Sequence, residues 1–183
     1  MSKIAIFLAD GFEEIEGLTS VDMCRRAGIE VTTVSVMETK KIMGSHKIPV
    51  EADAMFNEVN FDDMDLLLLP GGGLGTENLE KHAGLAELLK KADSQGKKLA
   101  AICAAPRVLG QLGLLNGIEA TCYPGNEDKL KGAVLKNEKK AVRDGRFVTG
   151  KGMGASIEFA AEVISLLEGE EKAGEILKQI QFA

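Results

Sequence analysis

The strongest constraint on this chain is an alternation. Short apolar runs stop abruptly at glycine, proline or acid, and each gives way to a longer stretch of helical pattern. Lys3–Ala9 and Asp65–Leu69 are too short for buried helices and too continuously apolar to keep one face in water, so they read as strands covered on both sides. Glu30–Val36, Leu99–Ile102 and Ile118–Thr121 read as further strands. From Glu13 the period changes: Ile15, Leu18, Val21 and Cys24 recur every third residue and are expected to face the core. Glu13, Glu14 and Glu16 crowd the first turn of that helix, Arg25 and Arg26 fill its last, and Gly28 stops it. Thr76–Gln95 is helical in two pieces around Gly84, and Ala105–Leu115, Ser156–Leu167 and Glu170–Ile180 are further helices. Lys40–Glu51 is irregular with room for a small hairpin, and Asp144-Gly145 joins Ala141–Arg143 to Arg146–Thr149 as another. With no internal repeat and no linker, the pattern predicts one domain over 1–183. Its expected architecture is a three-layer α/β sandwich around a mostly parallel sheet.

Composition narrows the function. The 183 residues are 45% apolar and 27% charged, a globular mixture that needs neither disulfides nor metal to hold a core. Twenty-two Lys and Arg against 28 Asp and Glu give −6, which argues against a general nucleic-acid binder. Seven Phe, one Tyr and no Trp leave few platforms for stacking bases. Ile4–Ala9 and Leu66–Pro70, the longest apolar stretches, are too short to cross a bilayer, and the opening Met-Ser-Lys lacks the shape of a secretory signal. Three cysteines do not make a disulfide framework. No membrane or nucleic-acid partner is expected, and the location expected is cytoplasmic.

In such sheets ligands bind beyond the carboxyl ends of the strands. Three segments lie there: Asp10–Glu16, Pro70–Gly75 and Ala101–Pro106. Cys103, between a buried strand and a helix start, has the small neighbours that a nucleophile elbow requires, and helix N–H groups near its sulfur would favour a thiolate. A buried cysteine among alanines is also a common packing residue. Glu16 could face solvent as a partner of the helix dipole, or face the pocket and share a proton with the thiol. Glycines in Pro70–Gly75 free backbone N–H groups to point at an anion. Thr76 breaks the dinucleotide fingerprint, and Gly152 stands where the phosphate loop at Gly145–Lys151 needs Ser or Thr, so both nucleotide readings fail. His46 and His82 lie in no metal-ligand spacing, so no metal site is expected. His82 is expected in solvent, and Cys24 and Cys122 are expected to be packing residues.

Taken together, A-D-G-F-E-E-I-E ending at Glu16, L-L-L-L-P-G-G-G-L-G and A-I-C-A-A-P resemble the ThiJ/PfpI superfamily, and within it the DJ-one-like branch. V-D-M-C-R-R-A-G near residue 25 and G-M-G-A-S-I-E-F-A near residue 156 extend the resemblance over nearly the whole chain. It implies a flavodoxin-like sandwich in which Cys103 is the reactive elbow cysteine and Glu16 the acid beside it. Gly72 and Ala104 would supply oxyanion-type N–H groups from a loop that includes Gly71. Arg26 and His46 fall near positions where relatives place basic residues around the pocket, Arg26 from a second subunit of a homodimer. The activity implied is conversion of a small reactive carbonyl, methylglyoxal or glyoxal, to a hydroxy acid without a cofactor, with repair of glycated side chains beside it. The alternatives are a redox sensor or chaperone working through Cys103 oxidation, and a cysteine peptidase or amidase. The last lacks its base: Tyr123 stands where many relatives carry histidine, and a phenol with an ordinary pKa of about 10 is no neutral-pH base. The pairing expected is a protonated Glu16 donating to a Cys103 thiolate.

Overall fold

The computed structural model describes residues 1–182. Its strands are β1 (Lys3–Leu8), β2 (Glu30–Ser35), β3 (Lys41–Met43), β4 (Pro49–Glu51), β5 (Ala54–Met55), β6 (Leu66–Leu69), β7 (Lys98–Ile102), β8 (Glu119–Ala120), β9 (Val134–Leu135), β10 (Ala141–Asp144) and β11 (Phe147–Gly150). The helices are α1 (Glu14–Arg26), α2 (Gly73–Lys81), α3 (Ala83–Ser94), α4 (Pro106–Gln111), α5 (Ser156–Glu168) and α6 (Glu170–Gln179). Seven strands form one sheet in the order β10-β11-β7-β6-β1-β2-β5. All neighbours in it are parallel except β10 and β11, the hairpin at one edge. The fold is the flavodoxin-like α/β sandwich, with helices on both faces.

Alternation along the strands divides the core. Ile4, Ile6 and Leu8 of β1, with Leu66, Leu68 and Ile102, turn to the side covered by α1, α5 and α6, where Met23, Cys24, Phe159, Val163 and Ile176 meet them. Ala5, Phe7, Leu67, Leu69 and Ala101 turn to the other side and pack on Leu79, Leu85, Leu89 and Leu109. A strand apolar on both faces has to be buried on both. The chain lays β2 and β5 on one side of β1, then returns to place β6, β7 and β11 on the other. The reversal falls between β1 and β6, and there the connections leaving the two strands part and open a crevice.

Three expectations need correction. Ile15 and Leu18 do not face the core; they are 54% and 38% exposed. The buried face of α1 carries Glu14, Glu16, Gly17, Ser20, Met23 and Cys24 instead, with Gly17 against the Phe12 ring. His82 is not a solvated side chain. It separates α2 from α3, caps α3 by accepting the Leu85 N–H on Nδ1 at 3.0 Å, and lies 4.5 Å from the Phe56 ring. The helix expected over Ala105–Leu115 is shorter, because Gly113 takes a φ of 76° and turns the chain. The hairpin expected within Lys40–Glu51 is present as β3 and β4. No helix among the described residues is long and apolar enough to cross a membrane.

Candidate active site

Three connections converge at the crevice. After β1 the chain turns into α1, with Glu16 in its first turn. The Glu13 N–H donates to the Gly71 carbonyl at 3.0 Å, which ties that turn to the loop after β6. Gly71 in return donates its N–H to Glu16 Oε2 at 2.9 Å. Glu16 is fully buried, and its other oxygen, Oε1, meets no nitrogen or oxygen donor among the described residues. The group within hydrogen-bonding reach of the carboxyl is the Cys103 thiol.

Cys103 is an elbow. Its φ is 66°, in the left-handed region that a non-glycine residue enters at a cost of about 1–3 kcal/mol. The surrounding backbone holds it there. Cys103 N–H donates to the Gly150 carbonyl at 2.8 Å, and the Cys103 carbonyl accepts from Tyr123 N–H at 2.8 Å. Pro106 then opens α4 at a position where a missing N–H costs nothing. The turn aims the sulfur at the crevice, where the backbone N–H groups of Gly72 and Ala104 both point at it. Gly72 can present its N–H because its φ is 92°, and a Cβ there would overlap the Gly11 carbonyl.

Burial sets the electrostatics. It lifts the Glu16 carboxyl to about 7, with help from the Glu13 charge and against the hydrogen bonds of Cys103 and Gly71. Burial, then the Glu16 charge and hydrogen bond, push the Cys103 thiol up to about 12, against the N–H groups of Gly72 and Ala104. The lowered thiol pKa expected from a helix start is therefore not what this environment gives; desolvation outweighs a helix of six residues. Two of the three effects raising the thiol act through Glu16. The pair accommodates one negative charge over a wide pH range and resists a second.

The other candidate residues lie further out. Tyr123 joins the elbow through its backbone, and its side chain is 45% exposed. With Pro124, Lys140, Lys151, Gly152 and Met153 it walls a cavity of about 370 Å³, of which Cys103 is not itself a wall. His46 is brought beside Glu13 and Glu14, with Nδ1 3.0 Å from Glu14 Oε2. Arg26 is not brought to the sulfur within one chain; it pairs with Asp22 at 2.6 Å at the exposed end of α1.

This arrangement can be set against known proteins. A model of the DJ-1/PfpI family matches residues 2–166. The chain belongs to that family. A family member from Arabidopsis thaliana, protein DJ-1 homolog B, is 37% identical over 175 residues, which are 95% of this chain and 40% of the plant protein. The chain thus spans about two-fifths of that relative's length. A deglycase of Pyrococcus abyssi is 33% identical over 167 residues, 91% of this chain and 99% of the archaeal one. The structure of oxidized Toxoplasma gondii DJ-1 superposes over the whole of both chains with a TM-score of 0.95 at 35% identity. The elbow cysteine is consistent with these DJ-1 neighbours.

Sequence reasoning missed the contribution of Glu13, Glu14 and Ser45. No spacing rule could have found them together, since Ser45 stands 31 residues from Glu14 in the chain and 3.0 Å from it in space.

Proposed function

We propose that this DJ-1/PfpI protein acts on small reactive carbonyls such as methylglyoxal and glyoxal, as a cofactor-independent glyoxalase with a deglycase activity beside it. The observation that carries the reading is the buried Glu16–Cys103 contact, with two backbone N–H groups on the sulfur. The deglycase name of the archaeal relative supports it. Donor counting indicates where the shared charge goes. A thiolate would receive Gly72 N–H, Ala104 N–H and the Glu16 hydroxyl, whereas a Glu16 carboxylate would receive only Gly71 N–H and the thiol. Glu16 loses its proton before Cys103 does, so its carboxylate takes the thiol proton as the sulfur attacks, and the reacting form is a thiolate beside a protonated acid.

In this mechanism the thiolate attacks the aldehyde carbon and the carbonyl electron pair moves to oxygen, where N–H groups and the Glu16 proton stabilise it. The resulting Glu16 carboxylate removes the hydrogen from that carbon to give an enediolate and returns it to the neighbouring carbon, while the hydroxyl proton on the first carbon passes to the neighbouring oxygen. One carbon is oxidised and the next reduced, leaving a thioester on Cys103. Water cleaves the thioester and releases the hydroxy acid. The test is lactate formation from methylglyoxal by wild type, Cys103→Ser, Glu16→Gln and Tyr123→His. Cys103→Ser should fall to background and Glu16→Gln should lose about 10²–10⁴-fold. Full turnover by either variant would overturn the reading.

A redox role through the same sulfur is favoured by one feature: the N–H groups of Gly72 and Ala104 would equally hold the oxygens of a Cys103 sulfinate. Peptidase action finds no histidine near Cys103, and it ranks last.

We also infer a homodimer. Ile15 and Leu18 present an apolar stripe on α1, beside an open cavity of about 390 Å³ shared with Ile157 and Ile180. Arg26 at the end of that helix would then belong to the joint between copies. Light scattering that finds only a 19.5 kDa species at micromolar concentration would exclude it. Three buried, unpaired cysteines suit a reducing compartment such as the cytoplasm.

A further inference from the structure

The loop around Ser45 folds back over the start of α1 and builds a second cluster, which the carbonyl chemistry leaves unused. His46 Nδ1 lies 3.0 Å from Glu14 Oε2 and 3.6 Å from Glu13 Oε1. Ser45 Oγ lies 3.1 Å from Glu13 Oε2, 3.0 Å from Glu14 Oε2 and 2.9 Å from His46 Nδ1. Its single proton can serve only one of these three acceptors at a time.

The spacing suits a metal. Bonds of about 2.0–2.2 Å from a tetrahedral ion set neighbouring donors about 3.3–3.5 Å apart. One ligand atom from each of Glu13, Glu14 and His46 lies within 4.8 Å of the others, and the imidazole sits at 3.0 and 3.6 Å from the two carboxylates. A separate observation points the same way. The Glu13 side chain is only 7% exposed, yet its Oε1 receives no hydrogen bond among the described residues and faces the imidazole. Neither carboxylate has a Lys or Arg partner among those residues; one exposed imidazole serves both.

We propose that Glu13, Glu14 and His46 form a binding site for a divalent cation of the zinc class. One nitrogen and two carboxylates are a donor set for zinc, cobalt or nickel rather than for magnesium, which prefers oxygen and keeps its water. His46 is 68% exposed, so an ion has a way in and a coordination position is left toward solvent. No ligand spacing announces the site, because the histidine stands 32 residues beyond Glu14 in sequence.

The test titrates chelator-stripped full-length protein with Co²⁺, followed by visible absorption and calorimetry, and then displaces it with Zn²⁺. One equivalent per chain should bind, with ligand-field bands and without a thiolate-to-cobalt charge-transfer band. His46→Ala, at an exposed position, should weaken binding about tenfold or more with an unchanged far-ultraviolet spectrum, and Glu13→Gln should do the same. Cys103→Ser should bind as wild type does. No saturable binding would overturn the proposal. So would binding indifferent to both His46→Ala and Glu13→Gln, or a charge-transfer band that disappears in Cys103→Ser.

Discussion

Gly71 hands its N–H to Glu16 across the crevice, and its Cα leaves no room for a side chain: a Cβ there would lie 2.5 Å from Glu16 Oε2 and 2.6 Å from the Cys103 Cβ. One glycine therefore sets the distance between the acid and the nucleophile. Gly71→Ala should fold but force the pair apart. Because a misplacement of about 1 Å costs about 10²-fold, carbonyl turnover should fall by at least that much. Lactate assays on a variant with a wild-type circular dichroism spectrum check this, and undiminished turnover would refute it.

Glu16 makes folding pH-dependent with an unusual sign. Its folded pKa of about 7 lies above the unfolded 4.5, so between those values the native state binds more protons. Stability from this group is present below about 4.5 and is lost as pH rises through 7. The loss is about 3 kcal/mol by linkage. Glu16→Gln should be more stable than wild type at pH 8, and the gap should narrow toward pH 4.5. Urea denaturation at the two pH values measures it, and a gap that widens on acidification would contradict the assignment.

Alkylation reads where the shared charge resides. If the thiolate tautomer holds, Cys103 should react with iodoacetamide along a curve rising near pH 7, as the pair loses its first proton. Reactivity that rises only above about pH 10 would place the charge on the Glu16 carboxylate and remove the proposed nucleophile.

Cys24 is fully buried and Cys122 is 1% exposed, both in apolar surroundings that raise their thiols to about 12 and about 11. Serine at either position adds a hydroxyl to the core, at a cost of about 1–3 kcal/mol. Melting temperatures should drop in both variants while turnover per folded molecule is kept. An inactive, well-folded Cys122→Ser would relocate the chemistry.

The strands of the sheet were legible because buried parallel strands need apolar residues on both faces and end at Gly, Pro or acid. The two-residue strands β5 and β9 were not, since so short a segment has no periodicity to read. In α1 the period itself misled. Ile15 and Leu18 are apolar and face outward, while the inward positions hold Glu16, Gly17 and Ser20, because that face must carry an acid to the crevice and pack closely on Phe12. Cys103 and Glu16 could each be nominated from local context. Their contact could not, because it depends on β6 lying between β1 and β7. His46 against Glu13 and Glu14 depends in the same way on how a loop folds back.

The left-handed backbone at Cys103 bears on how this protein would respond to selection. The elbow's φ of 66° suits glycine without strain, the buried acid opposes folding at neutral pH, and both would be relieved by inert residues. A library screened only for heat resistance should therefore discard Cys103 and Glu16 early. In that screen the most thermostable clones would be the chemically silent ones, so resistance to heating and capacity to react have to be scored separately.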